Sequence, residues 1–215
     1  MVHGPLSHGP FLMSGRYIAV AGNMGVGKSS LVQFLCKHFK IKPFFEPNAT
    51  NPYLEDFYKD MKAYAFHSQM YFLSQKFKMH QELAKFQETV IQDRTVFEDA
   101  EIFATHLHRQ GLISDRDFKI YKNLYKSIVK SIRPPDLLIY LKCSLPAIKK
   151  RIAQRGRGME QKVPDEYLAR LNKMYNQWIR RYKLSPVMVY PTDHLDYLTD
   201  FIHKQDLLEK IEKHI

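Results

Sequence analysis

The chain is 215 residues long, 45% hydrophobic and 26% charged, which suits one α/β domain with room for a full core and excludes a low-complexity or fibrous protein. No window approaches 18 consecutive apolar residues, so no membrane-spanning helix is expected. The formal net charge of +11 is spread along the chain rather than gathered in one tail; such charge attracts nucleic acid only non-specifically, and phosphate-handling sites collect the same Lys and Arg, so nucleic acid is not the expected partner.

Residues 1–15 carry Gly-Pro and His-Gly breaks, no periodicity and no basic segment before an apolar run, and read as a flexible leader rather than a signal peptide. Tyr17 to Ala21 is a short apolar run expected to be a buried strand. Gly22-Asn23-Met24-Gly25-Val26-Gly27-Lys28-Ser29 follows and fits G-x-x-x-x-G-K-[ST], the phosphate-binding P-loop. Ser30 to Phe39 then reads as a helix, with Leu31, Leu35 and Phe39 on one stripe. Strand, glycine loop and helix in that order are what a polyphosphate needs. The glycines let backbone N–H groups wrap the phosphates, and the helix aims its positive dipole end at them. Gly22 to Ser30 is therefore the expected ATP-binding segment, with Lys28 reaching the outer phosphates and the Ser29 hydroxyl available to Mg²⁺.

Pro43-Phe44-Phe45-Glu46-Pro47 reads as a short strand ending in a loop, which puts Glu46 on the same sheet edge as the P-loop. Leu54 to about Lys85 reads as one aromatic-rich helix. Gln69 lies three residues from both Phe66 and Phe72 and can share their face, where its amide would need a partner; a solvent-facing glutamine fits the same spacing. Val90-Ile91 is a brief strand with Asp93 at its end, a common place for a Mg²⁺-binding carboxylate. Val96 to His108 reads as a helix stopped by Gly111, with Asp99 near its start. Ser114 is the expected cap of the next helix, through Ile132 to Pro134-Pro135.

Asp136 to Leu141 is a further buried strand, and Pro146 opens a helix at a tolerated position. Arg151, Arg155 and Arg157 surround Gly156 and Gly158, which reads either as a solvated basic turn or as a lid that closes over a transferring phosphoryl group. Asp165 to Tyr182 is an amphipathic helix, Val187 to Tyr190 the last strand, and Leu207, Leu208, Ile211 and Ile215 the apolar stripe of a terminal helix. Cys36 and Cys143 sit in apolar elements without a C-x-x-C pattern and read as buried thiols in a reducing cytoplasm. Residues 16–215 are thus expected to form a single domain, with the lid over about 151–164.

Four motifs in order resemble the deoxyribonucleoside kinase family, bacterial deoxyadenosine and deoxyguanosine kinases above all: the P-loop, Phe45-Glu46-Pro47, Asp93-Arg94-Thr95-Val96-Phe97-Glu98-Asp99, and Arg155-Gly156-Arg157 through Glu160-Gln161, Pro164 and Tyr167-Leu168. The resemblance runs from about Tyr17 to Tyr190. It implies a parallel five-stranded sheet flanked by helices with an Arg-rich lid, a homodimer, and ATP with Mg²⁺ as phosphoryl donor. It implies Glu46 as the base at the nucleoside 5′-hydroxyl, Arg94 at the transferring group, and Ser29 and Asp93 at Mg²⁺. Arg151, Arg155 and Arg157 would be lid arginines on ATP. Tyr58 and Glu160 would hold the sugar 3′-hydroxyl, and Gln69 the base edge, supported by Asp99. Lys76 stands where several relatives carry arginine, and it is a point charge without the planar fork.

An amide gives and takes one hydrogen bond, whereas an ionised Asp99 only accepts, so the pair favours a base with an exocyclic amino group and opposes thymine. The expected substrates are purine deoxynucleosides, deoxyadenosine first, with deoxyguanosine and deoxycytidine following. The loop and lid also fit a nucleoside monophosphate kinase, such as a thymidylate kinase, and a non-catalytic nucleotide-binding subunit. Turnover of nucleoside against monophosphate separates these.

Overall fold

The computed structural model describes residues 15–47, 50–156, 163–193 and 201–213. Five strands form one parallel sheet: β1 (Tyr17–Ala21), β2 (Lys42–Phe44), β3 (Val90–Asp93), β4 (Leu137–Lys142) and β5 (Val187–Pro191), in the spatial order β2-β3-β1-β4-β5. Parallel neighbours need crossovers, and the helices between the strands supply them. β1 pairs with β3 through Tyr17 opposite Val90 and Val20 opposite Asp93, and with β4 through Ile18 opposite Leu137. The chain leaves β1 for β2 on one side and later returns to β4 on the other. The carboxyl end of β1 is therefore the crevice where ligands bind in open α/β sheets, and the P-loop occupies it.

Every residue of β1 is buried, as a strand covered on both faces must be. On one face Ile18, Val20, Ile91, Ile139 and Leu141 pack with Leu31 and Leu35 of α1 (Lys28–His38), Ile148 and Ile152 of α6 (Leu145–Arg155), and Leu207 and Ile211 of α8 (Phe201–Glu212). On the other face Tyr17, Ala19, Leu138 and Tyr140 meet Leu73 of α3 (Met61–Leu83), Tyr121 of α5 (Asp115–Val129), and Leu171, Tyr175 and Trp178 of α7 (Asp165–Arg181). Each fully buried Leu or Ile contributes about 1.5–3 kcal/mol to this arrangement. No helix among the described residues is long and apolar enough to cross a membrane.

Three expected helices differ from their reading. The run from Leu54 is not continuous: α2 (Leu54–Lys59) stops at Asp60, whose side chain accepts from Ala63 N at 3.0 Å and caps α3. Periodicity misses this break because an internal cap leaves the apolar spacing intact. The segment after β3 is not a regular α-helix either. It starts as a turn, Val96–Glu98, loosens into π-helix over Asp99–Ala104 and closes as α-helix over Thr105–Arg109; together these form α4. α1 begins at Lys28 rather than Ser30, so Lys28 and Ser29 lie in its first turn. Ser114 caps α5 through Asp117 N, as its sequence position indicated. Residues 1–14 of the expected leader, residues 157–162 of the expected lid, with Arg157 and Glu160, and residues 214–215 lie outside the described residues.

Candidate active site

The P-loop owes its shape to glycines at positions other residues resist. Gly22 has φ +148°, and a Cβ there would lie 2.9 Å from Leu141 O. Gly25 has φ +74°, and a Cβ there would lie 2.8 Å from Ile152 Cγ1 of α6. Elements on either side of residues 157–162 grip the loop from outside: Asn23 Nδ2 donates to Leu168 O at 3.0 Å, and Arg151 Nη1 donates to Val26 O at 3.3 Å and to Thr192 Oγ1 at 3.3 Å. Arg151 is thus fixed against the loop and the end of β5, while Arg155 ends α6 and is exposed.

Lys28 is buried and donates to Gly22 O at 3.0 Å and Asn23 O at 2.9 Å. Burial and then the nearby Arg94 pull its ammonium down to about 8, against the opposing pull of Asp93, Glu46 and Glu98. A polyphosphate in the loop would reverse that shift and draw Nζ off the carbonyls. Ser29 Oγ donates to Asp93 Oδ2 at 2.5 Å, and the buried Asp93 Oδ1 has no hydrogen-bond partner among the described residues. A hydroxyl and a carboxylate with a spare oxygen are the hard oxygen donors that Mg²⁺ takes beside waters and substrate phosphates. No group of three or more His, Cys, Asp or Glu able to hold a metal occurs among the described residues.

Arg94 follows the end of β3 and is the one non-glycine residue with positive φ, +62°, among those described. The left-handed turn sends its side chain back across the sheet edge. Nη1 donates to Glu46 Oε1 at 2.8 Å and Oε2 at 3.0 Å, and Nη2 reaches Gly22 O at 3.4 Å. Its guanidinium lies 4.5 Å from the Phe103 ring centre. Burial disfavours the charge, but Glu46, Tyr175, Glu98 and Asp99 outweigh it and hold the group well above its ordinary value. Glu46, two residues past β2, Arg94 and the P-loop therefore form one connected set.

Glu98 joins that set, and motif reading gave it no role of its own. It is wholly buried and accepts from Gly22 N at 3.2 Å, from Thr95 N at 2.8 Å and from the Tyr175 hydroxyl at 3.0 Å, with Arg94 Nε 4.0 Å away. Burial raises its carboxyl, and Arg94 opposes that. The signal available in the sequence was Thr95-x-x-Glu98, a capping box at the start of a helix, and the structure contains that box.

A second polar group lies between α3 and α4. Gln69 is buried, which settles its face of the helix, and its Oε1 has no hydrogen-bond partner among the described residues. The same holds for Asp99 Oδ2, although Lys76 Nζ lies 3.3 Å from it as an ion pair. Burial pushes the Asp99 carboxyl up and Lys76 opposes. Lys76 sits two turns after Gln69 on the same face of α3 and is fully buried. Tyr58 is half-buried on α2, with its ring centre 5.3 Å from that of Phe57. Tyr167 of α7 packs against the same cluster.

Comparison with known proteins gives this constellation its context. The family model described as deoxynucleoside kinase matches residues 18–215. The chain is 36% identical over 196 residues to a deoxyadenosine/deoxycytidine kinase of Bacillus subtilis, covering 90% of each. It is 33% identical to a deoxyadenosine kinase of Lactobacillus acidophilus, covering 92% of this chain and 95% of that one. The structure of deoxyadenosine kinase from M. mycoides with bound dATP superposes with a TM-score of 0.81 at 30% identity, over 92% of this chain and 99% of that one. A P-loop at the switch point of a five-stranded parallel sheet, a carboxylate clamped by arginine beside it and a match over nearly the whole length have one common account: this chain belongs to the deoxynucleoside kinase family, enzymes that use ATP to phosphorylate deoxynucleosides.

Proposed function

We propose that this kinase moves the γ-phosphoryl group of ATP to the 5′-hydroxyl of purine deoxynucleosides, deoxyadenosine first, with deoxyguanosine and deoxycytidine as weaker substrates. The observation that carries the chemistry is the Glu46 carboxylate held by two hydrogen bonds from Arg94, whose other nitrogen reaches the P-loop carbonyl of Gly22. A carboxylate cannot strip a sugar hydroxyl in advance. Glu46 orients the hydroxyl and takes its proton as the new O–P bond forms and the bond to the β-phosphate oxygen breaks, leaving ADP. Arg94, kept charged by its carboxylate neighbours, faces the negative charge spread over the transferring group. Lys28 exchanges its loop carbonyls for the outer phosphates, with the backbone of Gly22, Asn23, Met24, Gly25, Val26 and Gly27 and the first turn at Ser29 and Ser30 around them. Ser29 and Asp93 would hold Mg²⁺, whose charge would offset that of the phosphates.

The base preference rests on the buried acceptors Gln69 Oε1 and Asp99 Oδ2. A buried acceptor without a donor costs about 1–3 kcal/mol, so a base bringing an exocyclic amino group is favoured and a carbonyl edge is not. Tyr58 and Glu160 would hold the 3′-hydroxyl, and Arg151, Arg155 and Arg157 would frame the lid. The enzyme is proposed to be a cytoplasmic homodimer in nucleotide salvage, inhibited by its end-product triphosphate. That last reading is supported by the dATP in the M. mycoides relative.

The test is phosphoryl transfer from Mg·ATP to the four deoxynucleosides, adenosine and the corresponding monophosphates. Deoxyadenosine is expected to have the highest kcat/KM and thymidine the lowest among deoxynucleosides. A thymidine value above the other three would overturn the base assignment. Turnover of monophosphates alone would overturn the acceptor assignment.

A further inference from the structure

The Lys76 side chain carries more than its place beside the base pocket requires. It is a lysine with no exposed surface, and three oxygens surround its ammonium: Arg94 O at 3.0 Å, Asp99 Oδ2 at 3.3 Å and Glu46 Oε1 at 3.6 Å. The Arg94 carbonyl accepts a hydrogen bond from the ammonium, while Asp99 and Glu46 are ion-pair partners whose negative charge holds it between them. A contact to a nucleobase would have to draw the ammonium away from that position.

The choice of oxygens is informative. Glu46 meets the Arg94 guanidinium on one side and the Lys76 ammonium on the other. The Arg94 carbonyl that Lys76 holds belongs to the residue in the left-handed conformation, the turn that aims the guanidinium at Glu46. Lys76 therefore braces both members of the Glu46–Arg94 pair, and from the far side it meets the carboxylate proposed to read the base. Without it, the buried Glu46 and Asp99 carboxylates would lose the ammonium they share, and their mutual repulsion would be less compensated.

We infer that Lys76 is a positioning residue for phosphoryl transfer, which fixes the Glu46 carboxylate and links it to Asp99, and is not itself a reader of the base. The inference rests on the assignment of Glu46 as the base at the 5′-hydroxyl. Neutral Lys76→Gln keeps a donor for the Arg94 carbonyl and removes the charge. It is expected to lower kcat by about 10- to 100-fold, the usual cost of misplacing a reacting group by around an ångström. The fall should be a similar factor for every deoxynucleoside the enzyme accepts, and any KM change passed on through Asp99 should be common to all of them rather than selective for a base.

The deciding experiment is the double-mutant cycle with Glu46→Gln, read as kcat for deoxyadenosine, deoxyguanosine and deoxycytidine. If Lys76 acts through Glu46, the double variant is no slower than Glu46→Gln alone within about twofold, since two groups working as a unit are not additive. Multiplying losses, or a KM rise confined to some bases with kcat preserved, would overturn the inference and return Lys76 to base reading. Thermal melting accompanies each variant. Should Lys76→Gln fail to fold, Lys76→Arg is read the same way, because it keeps the charge but moves it: a common kcat loss supports positioning, and base-selective KM changes overturn it. Wild-type enzyme that phosphorylates no deoxynucleoside, or Glu46→Gln at full rate, would instead remove the assignment beneath, and so the two failures are told apart.

Discussion

The two faces of the sheet are both covered by helices and do different work. The face toward α1, α6 and α8 is apolar: Ile18, Val20, Ile91, Ile139 and Leu141 meet Leu31, Leu35, Ile148, Ile152, Leu207 and Ile211. The face toward α3, α4 and α7 has an apolar floor of Tyr17, Ala19, Leu138 and Tyr140, but it also encloses Lys76, Arg94, Glu98 and Asp99. Hydrophobic burial is non-directional, so the first face can secure the fold without fixing any atom closely. Buried charges cost free energy unless each is matched in position, so the second face trades stability for geometry. β1 belongs to both, and the P-loop at its end is held from the apolar side by Ile152 against Gly25 and from the charged side by Glu98 on Gly22 N.

The contrast can be broken most sharply at Glu46. Glu46→Gln should leave deoxynucleoside binding intact and lower kcat by roughly 10²–10⁴-fold, the worth of general acid–base help. Equilibrium binding alongside steady-state kinetics checks this, and an unchanged kcat would take Glu46 out of the reaction. The opposite pattern is expected on the apolar face. Ile139→Ala should cost about 2–5 kcal/mol in denaturant melts while kcat per folded molecule stays near wild type. A selective loss of kcat there would mean the two faces are not separable.

Glu98→Ala tests the seam between the faces. It would leave Gly22 N, Thr95 N and the Tyr175 hydroxyl short of an acceptor and remove the carboxylate that lies 4.0 Å from Arg94 Nε. A loss of about 3 kcal/mol follows from breaking a buried charged network. The Tm should fall by roughly 2–4 °C per kcal/mol for a domain of this size, and ATP affinity should fall with it. Full ATP affinity in a destabilised variant would limit Glu98 to a structural role.

The smallest effect at neutral pH belongs to His80 on the charged face. Its imidazole is buried edge-on to Tyr17 at 5.5 Å between ring centres. Burial and then the nearby Lys76 pull it from 6.5 down to about 3. Below pH 6.5 the unfolded chain takes up a proton that the folded one refuses, so stability is full above about 6.5 and is lost as pH falls toward about 3. The limiting slope is about 1.4 kcal/mol per pH unit. His80→Phe should flatten the acid side of a stability–pH curve by up to that slope. An unaltered curve would mean that His80 is protonated in the folded state.

Sequence alone determined the P-loop, the positions of the strands and most helices along the chain, and the sheet edge on which Glu46 and Asp93 lie. These follow from local rules: glycine spacing, apolar period, caps, and the habit of parallel sheets to bind at their carboxyl ends. It was less able to see the break at Asp60 and the π-helix over Asp99–Ala104, because both keep an apolar spacing that a regular helix would also show. Only the tertiary structure decided that Gln69 faces inward and that Glu98 anchors the loop. It alone showed that Lys76 lies among the oxygens of Glu46, Asp99 and Arg94. Those facts depend on where three separate elements meet. The energy of a buried charge is set by neighbours far away in the chain, and no window of sequence contains them.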